Sequence, residues 1–427
     1  MQSSIYIVCY YWPPAGGPGV QRWLTMSHYL VESNYHVTVV IPENADYPVT
    51  DASLTNDINP KITIKKIAIK EPTRWIKKIL GGKTAQLQKG ILNKKPGLLE
   101  RALLWVRGNY FIPDARKSWA DRVVQELEND SAFAKAKTLI TTGPPHSVHL
   151  VGLKLKKRFT KNIEWIADFR DPWTTIGYHD KLRLSLNAQE KHLKLEKQVL
   201  DSADKLLVTS PTTRAEFEAK TKTAITVITN GFNIEPNNTS QPAGKFTLSH
   251  IGTLLADRNP IHLWITLAEL IEIREDFAAD FKLQLAGNVG DDIINSLKEC
   301  QLLNYTNLKG YLSHQEAVNA MYNSQALLLI EIDSADTQAI IPGKLFEYIA
   351  SRRPVIAIGP EQSDIIQILY ESNAGTYFKY RDPHLSRHIL ELYQAYKKNE
   401  LLGNHQEINN YHRSNLTDQL IKIIQKR

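Results

Sequence analysis

The segment with the most chemical information has the sequence PGKLFEY and runs from Pro342 to Tyr348. Pro342 and Gly343 are typical of a helix start, which places Lys344 in the first helical turn. A helix dipole disfavours a cation at that end, so Lys344 there indicates an anionic ligand such as a phosphate. Glu347 shares the same helix face and could accept hydrogen bonds from a ribose diol. The alternative is a Lys–Glu pair on the protein surface.

Strand-end glycines and an arginine in the same half of the chain could complete this site. Gly252 and Thr253 follow one apolar, strand-like run, and Gly287 follows the next. Glycine allows the backbone to come close to a nucleotide. Arg258 precedes a predicted helix start, where a guanidinium can hold a diphosphate through two hydrogen bonds. The alternative for it is a solvated loop arginine. We add Leu345, within PGKLFEY, to the predicted nucleotide-binding residues.

The first half of the chain opens with a Pro/Gly-rich loop, WPPAGGPGVQR, between an apolar run and a helical pattern. Gly16, Gly17 and Gly19 would let backbone N–H groups approach a phosphate, and the helix would add its positive N-terminal end. The spacing matches neither a G-x-G-x-x-G fingerprint nor a Walker loop. A tight strand-to-helix turn is the alternative.

Two further segments of the first half place titratable groups at strand ends. TGPPHS contains His146, at the edge of the sheet where open α/β folds bind ligands. DFRDPW contains Asp168, Arg170 and Asp171 before a proline. A carboxylate there could orient an acceptor hydroxyl or take part in proton transfer, so we predict catalytic roles for all four residues. The alternatives are a helix cap for the histidine and an internal Asp–Arg pair that fixes the loop.

Two sheets are needed to position these residues. Each half of the chain alternates short apolar runs with helical periodicity, which predicts an α/β protein with two Rossmann-like, doubly wound parallel-sheet domains. We place the domains at 1–237 and 245–405, with a polar linker at 235–245 and a C-terminal segment at 406–427. The predicted strands are 4–12, 36–41, 62–69, 138–142, 163–168, 205–209 and 225–229 in the first half, and 246–251, 281–286, 308–310, 326–330 and 355–358 in the second.

Residues 70–117 interrupt this pattern with many lysines and arginines, very few acids, and interleaved tryptophan, leucine and isoleucine. The composition predicts a basic, amphipathic helical insertion. One interpretation is a solvated face over an ordinary core stripe. The other is docking on an anionic membrane surface.

Composition narrows the class of protein. The chain has 427 residues, of which 42% are hydrophobic and 23% charged, enough for two sizeable globular cores. The net charge of +7 favours acidic partners, but no nucleic-acid-binding motif is present and we expect no nucleic acid. Cys9 and Cys300 match no metal-ligand spacing and favour a reducing cytoplasm. We predict no signal peptide and no spanning helix, hence a cytoplasmic protein, at most peripheral to the membrane.

Taken in order, WPPAGGPGVQR, TGPPHS, DFRDPW, the Gly–Thr turn before Arg258 and PGKLFEYIASRRPVIA resemble the GT4-type glycosyltransferases of the GT-B fold, notably bacterial members of surface-polysaccharide synthesis. The resemblance implies two domains facing a cleft. The C-terminal domain would bind the nucleotide-sugar donor, and the N-terminal domain a glycan or lipid-linked acceptor. The resemblance also implies a last helix that crosses back to the first domain, retention of the anomeric configuration, and no metal or other cofactor.

The resemblance also implies roles for individual residues. By position, Glu347 matches the ribose-binding glutamate and Arg258 looks like the diphosphate arginine. The glycines of the first loop resemble those that approach the diphosphate or sugar from the other domain. His146 takes the place of a residue near the reacting sugar.

Two departures from the family pattern leave other functions open. Ala339 stands eight residues before Glu347, where the family often has a second glutamate. Asn259 follows Arg258 in place of a lysine, and Lys344 could supply that charge. We interpret both departures as marks of a subfamily. The alternatives are a nucleotide-sugar 2-epimerase of the same fold and a non-catalytic, membrane-associated assembly subunit.

Overall fold

The computed structural model of this protein describes residues 3–69, 98–159, 163–175, 182–234, 242, 244–401 and 405–426. The chain forms two compact units, Met1–Asn230 together with Arg413–Arg427, and Gly231–His412. It therefore enters the second unit once and then returns to the first. Residues 235–241 and 243 of the predicted linker lie outside the described residues, as do residues 70–97 of the predicted insertion.

The first unit is built on a parallel sheet whose strands are covered on both faces. Ile5 and Ile7 pack into one helix layer, whereas Tyr6 and Val8 pack into the layer on the opposite face. This is why the strands are continuous apolar runs in the sequence. The strands are β1 (Ser4–Cys9), β2 (His36–Glu43), β3 (Thr63–Ala68), β4 (Thr138–Gly143), β5 (Glu164–Phe169), β6 (Lys205–Val208) and β7 (Ala224–Val227). Their order is β3-β2-β1-β4-β5-β6-β7.

Helices of the first unit begin where capping or proline chemistry favours a start. Pro211 takes the first helical position of one helix, and the Ser210 side chain caps it by accepting from the Thr213 N–H. Ser185 caps the preceding helix in the same way. The helices are α1 (Pro18–Glu32), α2 (Leu98–Tyr110), α3 (Lys117–Glu128), α4 (His149–Arg158), α5 (Leu186–Ser202) and α6 (Pro211–Glu218).

The second unit contains a parallel sheet of the same kind. The strands are β8 (Phe246–Ile251), β9 (Phe281–Ala286), β10 (Thr306–Gly310), β11 (Ala326–Ile330), β12 (Val355–Gly359) and β13 (Gly375–Lys379), in the order β10-β9-β8-β11-β12-β13. The central strands β11 and β12 are buried along their whole length. The edge strand β13 is only partly buried.

Helices surround this second sheet. Ser313 and Glu316 form a capping box at the start of one of them. Arg352 and Asn373 end two others in the left-handed conformation. The helices are α7 (Ile261–Ile273), α8 (Glu275–Asp280), α9 (Asp291–Glu299), α10 (His314–Tyr322), α11 (Gly343–Ser351), α12 (Asp364–Ser372) and α13 (Leu385–Lys397).

The C-terminal helix, α14 (Arg413–Gln425), belongs to the first unit although it follows the second in sequence. Leu416, Leu420 and Ile424 are buried in the same apolar cluster as Val20 and Leu24 of α1. The first unit is thus completed by residues from both ends of the chain.

Two doubly wound parallel sheets confirm the predicted α/β class. The sequence interpretation missed β13. In this strand only Phe378 is fully buried, so it lacks a continuous apolar run.

Candidate functional site

Each sheet has one point at which the strand order reverses direction, and open α/β sheets bind ligands in the crevice there. In the first unit this point lies between β1 and β4, and in the second between β8 and β11. We call the loops that leave the carboxyl ends of these strands the first and the second switch point. The predicted residues Gly16 and His146 follow β1 and β4, and Gly252 follows β8.

At the second switch point, glycines bring strand-end backbone into close contact. Gly252 has φ +123° and Gly287 has φ +120°, conformations that L side chains rarely adopt. A Cβ on Gly287 would lie 2.5 Å from the Gly252 carbonyl oxygen, and a Cβ on Gly252 would lie 3.3 Å from Lys344 Nζ. Gly252 and Gly287 are therefore required, because the loop after β8 passes between the loop after β9 and the Lys344 ammonium group.

A buried histidine holds Lys344 in place. His250, in β8, is fully buried, and its Nδ1 lies 2.9 Å from the Leu328 carbonyl oxygen. Since a carbonyl can only accept, Nδ1 donates, which leaves Nε2 as the acceptor for Lys344 Nζ at 3.4 Å. Burial and the Lys344 charge hold the pKa of His250 well below its usual range, so the ring stays neutral in this role.

Lys344 shares the second switch point with Arg258 and Glu331. Burial lowers the pKa of Lys344 to about 8, although Glu331 acts in the opposite direction. Burial also raises the pKa of Glu331 to about 7, while Arg258 and Lys344 oppose that shift. Arg258 Nε and Glu331 Oε1 are both buried without a hydrogen-bond partner among the described residues. The cluster therefore holds charged groups whose hydrogen-bonding capacity is only partly used.

The start of α11 adds an anion-binding feature to this cluster. Pro342 occupies the N-cap and has no side chain able to accept hydrogen bonds from the first turn. The N-terminus of a helix favours negative charge. Glu347 is half-buried on the same face as Lys344, and Thr253 is exposed at the loop after β8. Leu345 instead packs in the core beneath α11, with a fully buried side chain.

In the first unit, Asp168 accepts hydrogen bonds at both of its carboxylate oxygens. It is fully buried, and its Oδ1 accepts from Arg22 Nη2 at 3.1 Å. Its Oδ2 accepts from Trp23 Nε1 at 2.7 Å and from the Thr142 hydroxyl at 2.8 Å. The carboxylate ties α1 to the ends of β4 and β5, which is the internal pairing considered as an alternative above, with Arg22 as the partner.

Arg170 links the glycine loop to the loop after β4. Its Nη2 donates to the Pro144 carbonyl oxygen at 2.5 Å, and a Cβ on Gly19 would lie 1.5 Å from its Nη1. Glycine at position 19 is therefore needed for the guanidinium to pass. Gly17 has φ +110° at the N-cap of α1, and Gly16 N–H donates to the Val49 carbonyl oxygen at 3.0 Å.

His146 lies in an aromatic stack at the end of β4. Its ring is parallel to Trp173, with centroids 5.0 Å apart and an interplanar angle of 3°, and it is nearly buried. His149, one turn on, stacks on Phe169 at 4.2 Å, and burial lowers its pKa to about 3. The Thr141 hydroxyl lies 2.9 Å from His149 Nδ1. The rings of both histidines are therefore packed against aromatic neighbours at this end of the sheet.

Asp171, two residues beyond the end of β5, is half-buried as a residue, whereas Asp168 is fully buried. Burial raises the pKa of the Asp171 carboxyl, Arg170 lowers it, and the charge of Asp168 raises it further. Of the two aspartates predicted to be catalytic, Asp171 is therefore the less buried residue.

A cavity of about 560 Å³ lies beyond β5 in the same unit. Its lining includes Thr174, Arg183, His192 and Lys220. His192 accepts from Trp173 Nε1 at 3.2 Å, which connects the cavity wall to the His146 stack. In this wall Lys220 Nζ is already paired with Glu196 and Glu216, and the Thr174 hydroxyl donates to Glu196.

The sequence interpretation missed two residues of the second switch point, His250 and Glu331. Both sit at strand ends, and neither belongs to a motif with a recognisable spacing. The sequence contains a signal for Glu331 only: it is a charged residue directly after the apolar run ALLLI, at the end of a strand, where open α/β sheets bind ligands.

Among the described residues, no helix is long and apolar enough to span a membrane. In the same part of the chain, no group of three or more histidine, cysteine, aspartate or glutamate side chains could hold a metal ion.

No protein-family model matches the sequence, and no curated protein matches it either. Solved structures match over almost the whole chain. Sucrose-phosphate synthase from Thermosynechococcus elongatus aligns with a TM-score of 0.63 at 16% identity, over 99% of this chain and 98% of that chain. HepE from Anabaena, solved in complex with UDP, aligns with a TM-score of 0.63 at 11% identity over 100% of both chains. TarM from S. aureus, also solved with UDP, gives a TM-score of 0.60 at 11% identity over 100% of both chains.

These likenesses confirm the fold predicted from the sequence. Both units, each with its parallel sheet, align with two-domain proteins of the GT-B fold. At such low identity the comparison speaks for the fold, and the function has to be argued from the residues at the switch points.

Proposed function

We propose that this protein is a glycosyltransferase that moves a sugar from a nucleotide-diphosphate donor to a glycan or lipid-linked acceptor in cell-surface polysaccharide synthesis. The observation that carries the proposal is the pair of cations, Lys344 and Arg258, held at the second switch point beside strand-end glycines and the start of α11. HepE and TarM, which share the fold, were solved with UDP, and this supports a nucleoside diphosphate as the ligand.

In this proposal the second unit holds the donor. The diphosphate lies against Lys344, Arg258 and the backbone of Gly252, with the N-terminus of α11 adding its positive end. Gly287 and Thr253 line the nucleotide, and Glu347 accepts from the ribose hydroxyls. Leu345 contributes to the donor site only indirectly, because its side chain packs in the core beneath α11.

The chemistry follows from the charges. As the bond between the anomeric carbon and the phosphate oxygen breaks, negative charge grows on the departing diphosphate. Two fixed cations in a partly desolvated site stabilise that charge without a metal ion, and we propose that the enzyme needs none. The acceptor hydroxyl forms the new bond with retention of the anomeric configuration, and its proton passes to an oxygen of the departing phosphate.

The first unit holds the acceptor in this proposal. Asp171 is a half-buried residue whose carboxyl has a raised pKa, which suits it to orienting a hydroxyl. Two further residues shape the wall of the acceptor site. His146 lies beside Trp173, and Arg170 links the Pro/Gly-rich loop to the loop after β4. We assign Asp168 a positioning role, because its oxygens are occupied by Arg22, Trp23 and Thr142.

A thermal-shift panel tests the donor assignment. UDP-, GDP-, ADP- and TDP-linked sugars are each added at high excess, and one of them should raise the melting temperature of the wild-type protein. A ligand present at 100 times its Kd stabilises the folded state by about 2.7 kcal/mol. Glu347→Ala should remove most of that shift. Glu391→Ala, which removes an exposed carboxylate on α13, should keep it. A panel without any shift would contradict the proposal.

Turnover distinguishes transfer from the alternative activity. Incubation with the donor alone should return the donor unchanged, and excess EDTA should leave transfer to an added acceptor intact. An epimer formed without any acceptor would instead favour the epimerase.

We also propose that α2 docks on an anionic membrane surface, where a lipid-linked acceptor would be found. Trp105 is 43% exposed and Tyr110 73% exposed, and the exposed Arg101 and Arg107 lie on the same helix. This combination of aromatic and basic side chains suits a lipid headgroup region. Sedimentation with phosphatidylglycerol vesicles tests it. Trp105→Glu should reduce binding, Ile273→Glu in the second unit should not, and equal binding to neutral vesicles would contradict it.

A further inference from the structure

Glu331 reaches the second switch point with an unpaired carboxylate oxygen. The residue directly follows β11 and is only 3% exposed. Its Oε1 has no hydrogen-bond partner among the described residues. A buried carboxylate oxygen without a donor is costly, and native proteins satisfy most such atoms. The unpaired oxygen therefore indicates a donor that a ligand brings.

The backbone that carries the Glu331 carboxylate is held in a fixed position. The Tyr380 hydroxyl donates to the Glu331 carbonyl oxygen at 2.5 Å. Gly359, at the end of β12, allows close packing, because a Cβ there would lie 3.2 Å from Glu331 Cβ. The backbone and Cβ of Glu331 are thus fixed by two neighbouring segments, and its side chain extends from a rigid strand end.

Arg258 and Lys344 define which ligand fits. Both act electrostatically on Glu331, yet in the described part of the chain neither forms a direct ion pair with it. A ligand that satisfies all three must offer anionic oxygens to the cations and an O–H group to the carboxylate a few ångströms away. Inorganic phosphate or a nucleoside diphosphate offers only the first. A glycosyl phosphate offers both, because its sugar hydroxyls lie beside the phosphate.

We propose that Glu331 accepts a hydrogen bond from a hydroxyl of the donor's sugar, and so favours the sugar nucleotide over the bare nucleoside diphosphate. The proposal rests on the donor site described above. A carboxylate beside a diphosphate repels it, so Glu331 weakens binding of the nucleotide alone. The hydrogen bond to the sugar offsets that repulsion only when the sugar is present.

The test compares matched ligands on matched proteins. Isothermal titration calorimetry measures the Kd values of UDP with UDP-glucose, GDP with GDP-mannose, ADP with ADP-glucose, and TDP with TDP-glucose. The proteins are wild type, Glu331→Gln, Glu331→Ala, and Glu391→Gln as the surface control. Circular dichroism and thermal unfolding establish that each variant is folded. We expect the melting temperature of Glu331→Gln not to fall, because the substitution removes a buried charge.

For the pair that wild type binds, Glu331→Gln should weaken the sugar nucleotide by about 10- to 100-fold, the size of a hydrogen bond to a charged group. The same variant should bind the bare nucleoside diphosphate equally well or more tightly. Deoxy-sugar analogues of the same donor should lose affinity for wild type but not for Glu331→Gln, which identifies the hydroxyl.

Three results have distinct meanings. Equal weakening of both ligands would overturn the proposal, since Glu331 would then serve only to position Lys344 and Arg258. Equal tightening of both would also overturn it, because no sugar contact would exist. Failure of wild type to bind any ligand of the panel would instead contradict the donor site itself.

Discussion

Beside the first switch point, near the end of β5, the buried Asp168 carboxylate accepts hydrogen bonds from Arg22, Trp23 and Thr142. At the second, the buried Glu331 carboxylate has an oxygen without a donor in the described residues. The two sheets have the same topology at these points, so the strand order does not explain the contrast.

The contrast concerns how two buried carboxylates are satisfied. A carboxylate whose oxygens all have donors stabilises the fold, whereas one with an open oxygen costs stability that a bound ligand can recover. In our proposal, therefore, Asp168 positions loops and Glu331 meets the ligand. Removing a charge should accordingly lower the stability of the first unit with little effect on nucleotide affinity, and should have the reverse effect in the second unit.

The largest expected effect is at the first switch point. Asp168→Ala leaves the buried Arg22 guanidinium without its partner, and breaking such a pair costs about 3–5 kcal/mol. Chemical denaturation should show that loss of stability. Any nucleoside diphosphate binding by the folded fraction should stay within a factor of about three of wild type. A stable Asp168→Ala protein that has lost nucleotide binding would break the comparison.

At the second switch point, Lys344→Met should have the reverse profile. Losing a desolvated cation that contacts the diphosphate should weaken nucleoside diphosphate binding by about 2–4 kcal/mol, measured by calorimetry. The melting temperature without ligand should stay the same or rise, because burial already disfavours the ammonium form. A large drop in melting temperature would show that Lys344 stabilises the fold instead.

Two glycine substitutions, one in each unit, test the same contrast between stability and nucleotide affinity. Gly19→Ala forces Arg170 to move and should cost stability of about 2 kcal/mol in the first unit. Gly252→Ala strains a φ of +123° and crowds Lys344, so it should lower nucleotide affinity as well as stability. Denaturant unfolding and calorimetry on both variants separate the two effects. Equal loss of affinity in both would contradict the assignment.

The smallest expected effect is on the pH dependence of binding. The diphosphate prefers charged Lys344, whose pKa is lowered to about 8, so raising the pH from 7 to 9 should weaken binding about tenfold, or about 1.4 kcal/mol. Stability without ligand should change in the opposite direction, rising with pH above 8, because the unfolded lysine there binds more protons than the folded one. Calorimetry at several pH values, with Lys344→Met as the control, measures both. A flat profile for wild type would contradict it.

The sequence predicted most of the sheet because buried parallel strands are continuous apolar runs. β8, β9 and β11 were predicted with their observed ends, and α11 begins at the Pro–Gly pair that predicted a helix start. The strand β13 was missed because it is a partly exposed edge strand with few apolar residues. A local sequence pattern predicts a strand only when burial restricts the residues along that strand to apolar types.

The candidate site was less predictable for a different reason. Lys344 was found because a cation at a helix start is locally unfavourable, which is visible from neighbouring residues alone. The partners of Asp168 and Glu331 are distant in sequence, with Arg22 separated from Asp168 by 146 positions. Whether a buried carboxylate is satisfied depends on such contacts, and the sequence does not contain a local signal for them.

The C-terminal helix α14 has a consequence for synthesis on the ribosome. Leu416, Leu420 and Ile424 fill the cluster beside α1, yet they are translated after the whole of Gly231–His412. The nascent first unit must therefore expose an apolar face of α1 while the second unit is being made and folded. The first unit can close only after α14 has been translated, so a ribosome that stalls near residue 412 leaves an aggregation-prone intermediate for chaperones to shield.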